Sequence, residues 1–475
     1  MARAVFRFTR DLRLGDHAGL AAAAGIGEVV PVLVVDRALE NRLRASPRRA
    51  HAYCSAVDSL SRSLGERGSA LIVRRGPVGA ALRQLARASR ASAVVWSASF
   101  DAAGIEADRR LQSELEEAGL RAIAVHDAPA IAPEESTAAR PSAGDGYRAF
   151  VPYHDVWKRL EPVSYEIPLL LAFAKTEFES EPLPQACDFG EVAAAPAMGE
   201  AQASERLERF MTGAGLQYAL TVNVPADDRT SHLGADLSLG TIAARTVVRT
   251  ARSRMDDPFL LAEERGSLKH FLRSLAMRDF FLQLGWYNPQ TRERPLQEKM
   301  QSFAFARKHP ALDAWRAGRT GFPLVDAGMR QLRETGWMHP HVRAIAAAFL
   351  CFDLGVDWRV GITEWDRLLV EDEPALAVGN WQWIAGVGAD MAAYPRIYNP
   401  HKQLRRFDPA AAYVKRWIPE LAHLPAAAII AGTAPSSSQI ELPLFAADAY
   451  PQPVVDHGVA ARAFLARYQA FLARR

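Results

Sequence analysis

The chain has 475 residues, enough for two or three domains, and its 49% hydrophobic and 23% charged residues are typical of a globular protein and exclude a disordered one. The net charge of +3 is close to neutral, although residues 201–475 hold 33 Lys and Arg against 28 Asp and Glu, which permits a local basic surface. The three cysteines, Cys54, Cys187 and Cys351, form no CxxC pair. We therefore expect no metal site and a reducing, cytoplasmic location.

We expect neither a signal peptide nor a membrane-spanning segment in this sequence. The first residues, MARAVFRFTRDLRLGD, carry charges throughout and lack the apolar stretch of a signal peptide. No uninterrupted apolar run reaches the length that crosses a bilayer, so we expect no membrane association.

The first 130 residues alternate short apolar runs with longer amphipathic stretches. Strands are predicted at AVFRF (4–8), VVPVLVV (29–35), ALIVRR (70–75), AVVWSAS (93–99) and RAIAVHD (121–127). Helices are predicted between them at 50–67, 77–89 and 105–119. This alternation is typical of βαβ units and predicts a doubly wound parallel sheet. No GxGxxG follows the first strand, and Gly15 or Asp16 is predicted to open the next helix.

Residues 131–200 are dense in proline, glycine and alanine and predict an interdomain linker, interrupted by a short helical segment at 147–160. From 201 to 475 apolar residues recur with a helical period, which predicts an all-α domain. Its helices are predicted at 204–215, 239–254, 267–285, 323–336 and 341–355, with a connector near 420–438 before a last helix at 456–475. The predicted domains are therefore 1–130 and 201–475, joined by the linker.

The segment GNWQW places Trp381 and Trp383 two residues apart. Residues two apart on a helix point to nearly opposite sides, so the two indoles cannot serve one surface. Either both fill the core against different neighbours, or they line two different cavities.

Several motifs follow one another in the helical half. Tyr218 precedes TSHLGADLSLGTIAAR, which starts at Thr230, and AWRAGRTGFPLVDAGMRQLRETGWMHPHVR, DWR, an acidic run and GNWQW come next. With FRFTRDLRLGDHAGL at the N-terminus, this order resembles the photolyase/cryptochrome family over essentially the whole chain, and class I cyclobutane pyrimidine dimer photolyases in particular. The resemblance implies an α/β antenna-type domain, a larger all-α FAD-binding domain, and blue-light-driven electron transfer.

The resemblance also implies a set of cofactor contacts. Hydroxyls and free N–H groups at the entrance of a helix suit a diphosphate, although a plain helix cap is the simpler alternative. Arg343 is implied to pair with Glu371 beside the isoalloxazine, and Glu373 to bond its polar edge; the alternative is a solvated acidic helix end. Gly234 stands where the family has Ser, and both glutamates stand where it has Asp. The implied FAD-binding residues are Tyr218, Thr230, Ser231, His232, Leu233, Gly234, Arg278, Arg343, Glu371, Glu373 and Ala377.

Trp381, Trp358 and Trp315 match the family's chain of three electron-donating tryptophans. Such a chain reduces an excited flavin and moves the hole outwards before it recombines, whereas a lone tryptophan is more often core packing. Ala377 stands where repair enzymes have Asn and plant cryptochromes have Asp facing the flavin N5. Alanine offers neither an amide nor a proton there.

The positions implied to bind the substrate depart from the repair enzymes. Trp383 matches a wall of the pocket that receives a flipped-out pyrimidine dimer. Met277 replaces a Trp, Asp279 is aligned with a Glu that bonds the pyrimidine, and Pro340 replaces an Asn, or the catalytic His of (6-4) photolyases. Val222 replaces an Arg that faces DNA. The lesion pocket is therefore predicted to be altered.

These observations predict light-driven repair of cyclobutane pyrimidine dimers in DNA by a cytoplasmic monomer. The alternative is a cryptochrome-like photoreceptor that acts on a signalling partner, or a light-driven flavoprotein without dimer repair. The N-terminal domain is predicted to hold an antenna chromophore near ASPRRAHAYCSAV at 45–57, and a folate and a deazaflavin are both compatible with the sequence.

Overall fold

The computed structural model describes residues 2–140, 144–165, 173–175, 178–390, 395–432 and 450–474. These residues form two compact units. The sheet unit comprises Met1–Ala219, Ser231–Gln290 and Val370–Leu376, and the helical unit comprises Leu220–Thr230, Thr291–Leu369 and Ala377–Arg475. The division differs from the predicted boundary near residue 200, because helices up to residue 290 belong to the sheet unit. Within the described ranges, no helix combines the length and the apolar character needed to cross a bilayer.

A parallel sheet of five strands in the order β3-β2-β1-β4-β5 forms the centre of the sheet unit. The strands are β1 (Arg3–Phe8), β2 (Glu28–Val35), β3 (Ile72–Arg75), β4 (Ala93–Ser97) and β5 (Arg121–Val125). Val5 in the central strand pairs with Val30 on one side and Val94 on the other. Apolar clusters cover both faces of this sheet, which explains why β2 is a continuous apolar run. The predicted doubly wound sheet is confirmed.

Twelve α-helices begin among the described residues up to 290. They are α1 (Ala18–Ala24), α2 (Arg37–Arg44), α3 (Pro47–Glu66), α4 (Val78–Ser89), α5 (Ala102–Glu117), α6 (Pro133–Ala138), α7 (Phe150–Trp157), α8 (Glu200–Thr212), α9 (Tyr218–Thr221), α10 (Gly234–Leu239), α11 (Ala244–Met255) and α12 (Ala262–Tyr287). The prediction that Gly15 or Asp16 opens the first helix is wrong. His17 caps α1, where its Nδ1 accepts the N–H of Leu20 at 3.3 Å.

Asp16 instead belongs to a buried network of opposite charges in the sheet unit. Asp127 is 2% exposed and accepts hydrogen bonds from Nη2 of Arg13 at 2.7 Å and from Nη2 of Arg245 at 2.6 Å. Nε of Arg245 also donates to Oδ1 of Asp16 at 2.9 Å. Each buried charge therefore has an opposite charge beside it, which offsets the cost of removing it from water.

We expect the sheet unit to lose stability between pH 4 and pH 2. Burial raises the pKa of Asp16, but Arg245 together with the hydrogen bonds from Thr246 and the Tyr165 N–H holds that pKa at about 2. For Asp372, Arg49, Arg42 and Arg10 together offset burial in the same way and hold its pKa at about 2. A carboxylate whose pKa is lower in the folded than in the unfolded chain, where it is about 3.9, stabilises the fold above that pH and loses this effect as the pH falls towards 2. The expected loss is about 1 kcal/mol for each of the two groups by pH 3.

Urea unfolding at pH 7, 5 and 3 measures this loss. The Asp16→Asn variant serves as a control, because its free energy of unfolding should depend less steeply on pH than that of the unmutated protein. An unfolding free energy that stays constant between pH 5 and pH 3 would contradict the assignment of these two carboxylates.

Nine further α-helices follow in the part of the chain after residue 290 that the structure describes. They are α13 (Leu312–Ala317), α14 (Pro323–Thr335), α15 (Pro340–Ala348), α16 (Trp358–Leu368), α17 (Pro374–Ile384), α18 (Pro400–Phe407), α19 (Ala412–Trp417), α20 (Ala426–Ala431) and α21 (His457–Ala473). The largely helical composition of this half is confirmed. Of the connector predicted near 420–438, residues 426–431 form α20 and residues 433–438 lie outside the described part of the chain.

The helix predicted at 341–355 does not continue to its end. After α15 the backbone changes to a π-helix over Phe349–Asp353, and Gly355 then takes a left-handed φ of 62°. Oδ1 of Asp353 lies 2.6 Å from Nδ1 of His457 at the start of α21. Single-turn π-helical segments are rare inside α-helices, and this one brings a carboxylate to the last helix of the helical unit.

Candidate functional site

The predicted site residues fall in both units, and the face of α12 that carries Met277 belongs to the sheet unit. The Tyr218 hydroxyl lies 3.4 Å from Oγ of Ser274, and the rings of Tyr218 and His270 are 5.7 Å apart between centroids. Ser274 and His270 are exposed and Met277 is half-buried. Because residues at i, i+4 and i+7 share one face of a helix, His270, Ser274 and Met277 lie in a row. The sequence analysis missed His270 and Ser274, although this spacing from Met277 would have indicated them.

Asp279 does not lie on that face, and the prediction that it contacts the substrate is not supported. Its Oδ2 accepts hydrogen bonds from the backbone N–H groups of Ala130 (3.0 Å) and Ile131 (3.1 Å) and from Nε1 of Trp157 (2.9 Å). The side chain is buried, and burial raises the pKa of its carboxyl. The hydrogen bonds of Asp279 thus connect α12 to the residues that follow β5 and to Trp157 of α7. It is two residues from Met277 and therefore points to the opposite side of the helix.

The segment before α10 brings Gly234 close to an acidic side chain of the sheet unit. A Cβ atom on Gly234 would lie 2.5 Å from Oε1 of Glu371, so any side chain here would displace that carboxylate. Oγ of Ser231 accepts the N–H of Leu233 at 3.4 Å, and His232 has a left-handed φ of 53°. The absence of a side chain at residue 234 therefore makes room for the extra methylene of Glu371.

Glu373 lies between two arginines of the sheet unit. Its carboxylate is 3.6 Å from Nη1 of Arg10 and 3.9 Å from Nη2 of Arg278, and its Oε1 has no hydrogen-bond partner among the described residues. Burial raises the pKa of Glu373, while the two arginines oppose this. Arg278 also donates to the carbonyl oxygens of Ala128 (2.8 Å) and Leu237 (3.3 Å), so much of its hydrogen-bonding capacity is used within the protein.

A cavity of about 240 Å³ lies at the carboxyl ends of the strands. Residues that follow β1, β2, β4 and β5 line it, as do residues of α2 and α3, which is where doubly wound sheets bind ligands. Nε of Arg7 and the hydroxyl of Tyr53 belong to lining residues and have no hydrogen-bond partner in the described part of the chain. The cavity can therefore supply hydrogen-bonding groups to a polar ligand.

In the helical unit, Trp381 lies across α16. Its indole packs so closely on Gly361 that a Cβ there would be 2.1 Å from Cη2 of Trp381. The ring centroid of Trp381 is 4.5 Å from that of Trp365, which in turn is 6.5 Å from that of Trp315 at an interplanar angle of 15°. Trp381, Trp365 and Trp315 are all buried. The sequence analysis missed Trp365, although it is seven residues after Trp358 and so on the same face of α16.

Trp358 and Trp383 have different surroundings from these three. Trp358 is buried, and Cζ of Arg359 lies 4.3 Å from its ring centroid. Trp383 is half-buried, and Cζ of Arg396 lies 5.3 Å from its ring centroid. Trp381 and Trp383 thus contact different neighbours, as their spacing predicts.

The remaining predicted residues of the helical unit are Arg343, Thr230, Pro340 and Ala377. Nε of Arg343 donates to the carbonyl of Met338 at 2.7 Å, and Thr230 donates to Oδ1 of Asp228 at 3.3 Å. Pro340 is the exposed first residue of α15, where a missing N–H costs no helical hydrogen bond. Ala377 is half-buried in α17.

Comparison with known proteins decides what these residues belong to. The family model for DNA photolyase matches residues 4–169, and the model for the FAD binding domain of DNA photolyase matches residues 271–470. The deoxyribodipyrimidine photo-lyase of Halobacterium salinarum is 34% identical over 95% of this chain and 96% of its own, and that of a Synechococcus strain is 31% identical over 98% and 96%. The chain belongs to the photolyase/cryptochrome family. It is a light-driven flavoprotein whose cofactor is FAD.

Solved structures of the photolyase/cryptochrome family share the fold over the whole chain. The class III photolyase of Agrobacterium tumefaciens has a TM-score of 0.85 and 29% identity, covering 100% of this chain and 98% of its own. An archaeal photolyase from Sulfolobus tokodaii with two FAD molecules has a TM-score of 0.80 and 27% identity, covering 98% and 99%. A Synechocystis cryptochrome has a TM-score of 0.86 and 25% identity, covering 99% of both chains. Since both branches of the family match, class I membership stays a prediction.

Proposed function

We propose that this protein is a photolyase that splits cyclobutane pyrimidine dimers in DNA under blue light. The observation that carries the proposal is the match over nearly the whole of both chains to relatives named deoxyribodipyrimidine photo-lyase, at up to 34% identity. The excess of basic residues in 201–475 is consistent with a nucleic-acid partner. A cytoplasmic monomer is part of the same proposal.

The residues present fit FAD. The Oε1 atom of Glu373, which is buried and has no hydrogen-bond partner among the described residues, is a feature that a polar ligand would use. We propose that Tyr218, the segment 230–234, Arg278, Arg343, Glu371, Glu373 and Ala377 bind it. Bound FAD supplies the blue-light absorption and the one-electron chemistry.

In this proposal the side chains of the protein bind, position and supply electrons. Arg343 provides a positive charge that favours added negative charge on a bound ring. The three buried tryptophans Trp381, Trp358 and Trp315 supply the electrons. Trp383 is held by Arg396 with its indole half-buried, and we propose that it stacks on a base of the substrate.

On the α12 face we propose Ser274 and Met277 as substrate contacts in place of Asp279. Ser274 has an exposed hydroxyl, which can donate to a pyrimidine carbonyl, whereas the carboxylate of Asp279 is buried and already accepts three hydrogen bonds. Met277 offers a flexible apolar surface of a kind that adapts to an irregular ligand.

The test is repair of an oligonucleotide that contains one thymine dimer. Chemically reduced protein is illuminated with blue light, and recovery of monomeric thymine is followed by chromatography, with a dark sample as control. We expect recovery under light alone. Absence of recovery by a protein that binds FAD and undergoes light-driven reduction would contradict dimer repair.

A cryptochrome-like photoreceptor is the second candidate. The observation that favours it is the similarity to the Synechocystis cryptochrome at a TM-score of 0.86, together with Met277, Pro340 and Ala377 at positions where repair enzymes have Trp, Asn and Asn. In that case the oligonucleotide would stay unrepaired while light altered the protease sensitivity of the protein, and a signalling partner would bind one of the two states.

We also propose that the cavity at the carboxyl ends of the strands holds the antenna chromophore. Arg49 and Tyr53, which line it, come from the 45–57 segment singled out in the sequence. The Sulfolobus structure contains two FAD molecules, so a flavin joins a folate and a deazaflavin among the ligand types to test. Each chromophore is added separately, and its fluorescence is measured. We expect saturable quenching for the chromophore that binds, and loss of that quenching in Tyr53→Ala.

The contact between residue 234 and Glu371 yields a compensation test. Gly234→Ser is expected to weaken FAD binding by about tenfold, because the new Cβ displaces the Glu371 carboxylate. Adding Glu371→Asp, which is one methylene shorter, should restore most of the affinity. Flavin fluorescence quenching measures both. Gly65→Ser is the matched control, because no atom lies within 4 Å of a Cβ there. Additive losses in the double variant would contradict the compensation.

A further inference from the structure

Another cavity, of about 330 Å³, lies in the helical unit, and none of the residues proposed to bind FAD or the dimer lines it. Three arginines and one glutamate line it among the described residues, together with an apolar and a hydroxyl side chain: Arg292, Glu293, Arg307, Arg359, Ile362 and Thr363. We call this cavity the arginine cleft. Its volume is in the range of sites that bind small molecules.

Two backbone segments that lie side by side bring Arg307 and Arg359 to the arginine cleft. The N–H of Ala306 donates to the carbonyl of Gly355 at 2.9 Å, and the N–H of Asp357 donates to the carbonyl of Ala306 at 2.8 Å. Arg307 directly follows the first segment, and Arg359 is the second residue of α16, which follows the other. This pairing therefore places at one cleft two arginines that are far apart in the sequence.

The loop 291–296, which carries Arg292 and Glu293, is held by Gln382, the residue between the two tryptophans of GNWQW. The Gln382 side chain is buried. Its Nε2 donates to two backbone carbonyls of the loop at 2.5 and 3.0 Å, and its Oε1 accepts a backbone N–H of the loop at 2.8 Å. These three hydrogen bonds fix the backbone from which Arg292 reaches the cleft.

The three guanidinium groups of the cleft differ in the donors that they still have available. Arg359 is largely used within the protein, because its Nη1 donates to the Asp357 carboxylate at 3.0 and 3.1 Å and its Nη2 donates to a backbone carbonyl. Nη2 of Arg292 lies 3.6 Å from Oδ2 of Asp366, and the two side chains are 45% and 42% exposed. The side chain of Arg307 has no hydrogen bond or ion pair with another described residue. Arg307, and Arg292 in part, therefore have donors available for a ligand.

The charges around the cleft favour an anion. Asp357 and Asp366 compensate Arg359 and part of the charge of Arg292, which leaves the charge of Arg307 uncompensated in the described part of the chain. The carboxylate of Glu293 opposes an anion and limits its affinity. A guanidinium group presents two parallel N–H donors, and this geometry matches the oxygen atoms of a phosphate.

The cleft lies on the side of α16 that faces away from Trp381. The Trp381 indole packs on Gly361, which is two residues from both Arg359 and Thr363. Residues two apart on a helix point to nearly opposite sides. A ligand in the arginine cleft therefore occupies a different place from a ligand beside Trp381.

We propose that the arginine cleft is a phosphate-binding site in which Arg307 and Arg292 hold the phosphate. The volume of the cavity leaves room beside the phosphate for part of a nucleotide. The phosphate belongs either to a free small molecule or to the backbone of DNA, and the experiment below distinguishes these two sources. The site goes beyond the proposed repair activity, because it requires neither light nor a pyrimidine dimer.

Isothermal titration calorimetry of FAD-saturated protein tests the proposal. Saturation fills the cofactor site, so that an added phosphate does not bind there, and the ionic strength is held constant because salt screens exposed charges. The probes are inorganic phosphate, a nucleoside triphosphate and an undamaged duplex oligonucleotide. We expect Arg307→Gln to weaken binding about tenfold and Arg292→Gln to weaken it less. Glu293→Gln should strengthen binding several-fold, because it removes the opposing carboxylate.

Arg333→Gln is the matched control. Arg333 is an exposed arginine of the helical unit that does not line the cleft, and its side chain has no hydrogen bond or ion pair among the described residues. A loss in Arg307→Gln for the triphosphate and inorganic phosphate assigns the cleft to a small molecule, and a loss for the duplex alone assigns it to backbone phosphates. Absence of binding by the unmutated protein, unchanged affinities in Arg307→Gln, or an equal loss in Arg333→Gln would each overturn the proposal.

A second measurement uses the unmutated protein and so does not depend on how the variants fold. A dicarbonyl reagent that modifies exposed guanidinium groups is applied with and without the probe that binds most tightly, and peptide mapping by mass spectrometry locates the modified arginines. Modification of Arg307 and Arg292 should fall several-fold when the probe is present, while that of Arg333 stays the same. Equal modification of Arg307 in both samples would contradict phosphate binding in the cleft.

Discussion

Replacing Asp127 with Asn is expected to lower the free energy of unfolding of the sheet unit by about 3–5 kcal/mol. The substitution removes the negative charge that Arg13 and Arg245 share at 2.7 and 2.6 Å. Arg245 keeps its ion pair with Asp16, whereas Arg13, whose side chain is 3% exposed, loses its carboxylate partner. An uncompensated buried charge is among the largest single destabilising effects. Nearby opposite charges also hold the pKa of Asp127 far below its usual range despite burial.

Chemical denaturation followed by circular dichroism measures this loss. Asp58→Asn is the matched control, since its ion pair with Arg62 is exposed and its removal should cost less than about 1 kcal/mol. Similar losses in the two variants would show that the Asp127 network does not stabilise the sheet unit.

Replacing Asp279 with Ala is expected to cost about 3 kcal/mol of stability, with little change in repair by the molecules that remain folded. The variant leaves the N–H groups of Ala130 and Ile131 and the Trp157 indole without their acceptor, and each unsatisfied buried donor costs about 1–3 kcal/mol. Asp279→Asn keeps one carbonyl oxygen and should cost less.

The comparison with Ser274→Ala separates a structural carboxylate from a substrate contact. Ser274→Ala should leave the midpoint of thermal unfolding nearly unchanged and lower the affinity for the dimer-containing oligonucleotide. If Asp279→Ala is as stable as the unmutated protein but does not repair the dimer, then Asp279 acts on the substrate as the sequence predicts.

The architecture was accessible from the sequence because its signals are local. Short apolar runs such as VVPVLVV, alternating with amphipathic stretches, predicted all five strands of the sheet. The division into units was less accessible, because it depends on which helices pack together. Residues 370–376 belong to the sheet unit although they lie far along the chain, and no local pattern indicates this.

The sequence predicted site residues well where they lie in motifs. It predicted them less well where the direction of a side chain decides its contacts. The spacing rule that separated Trp381 from Trp383 applies equally to Met277 and Asp279, and it would have placed Asp279 on the buried side of α12. Asp16 was mistaken for a helix cap because the arginines that bind it come from α11, more than 200 residues later. Trp365 was missed because it lies outside the motifs that carry the resemblance.

The resemblance also indicated departures whose consequences only the structure explains. A glutamate in place of aspartate at residue 371 demands extra room, and the structure provides it at Gly234, which has no side chain. Two departures that look independent in the sequence are thus one local adjustment. The longer carboxylate at residue 373 lies between Arg10 and Arg278.

The absorption spectrum of the purified protein, before and after blue light with a thiol present, tests the light-driven flavoprotein assignment most directly. We expect flavin bands in the blue and near ultraviolet from stoichiometric FAD, and loss of the bands of oxidised flavin on illumination but not in the dark. A colourless protein that takes up no added FAD after reconstitution, or bound flavin that light does not reduce, would contradict it.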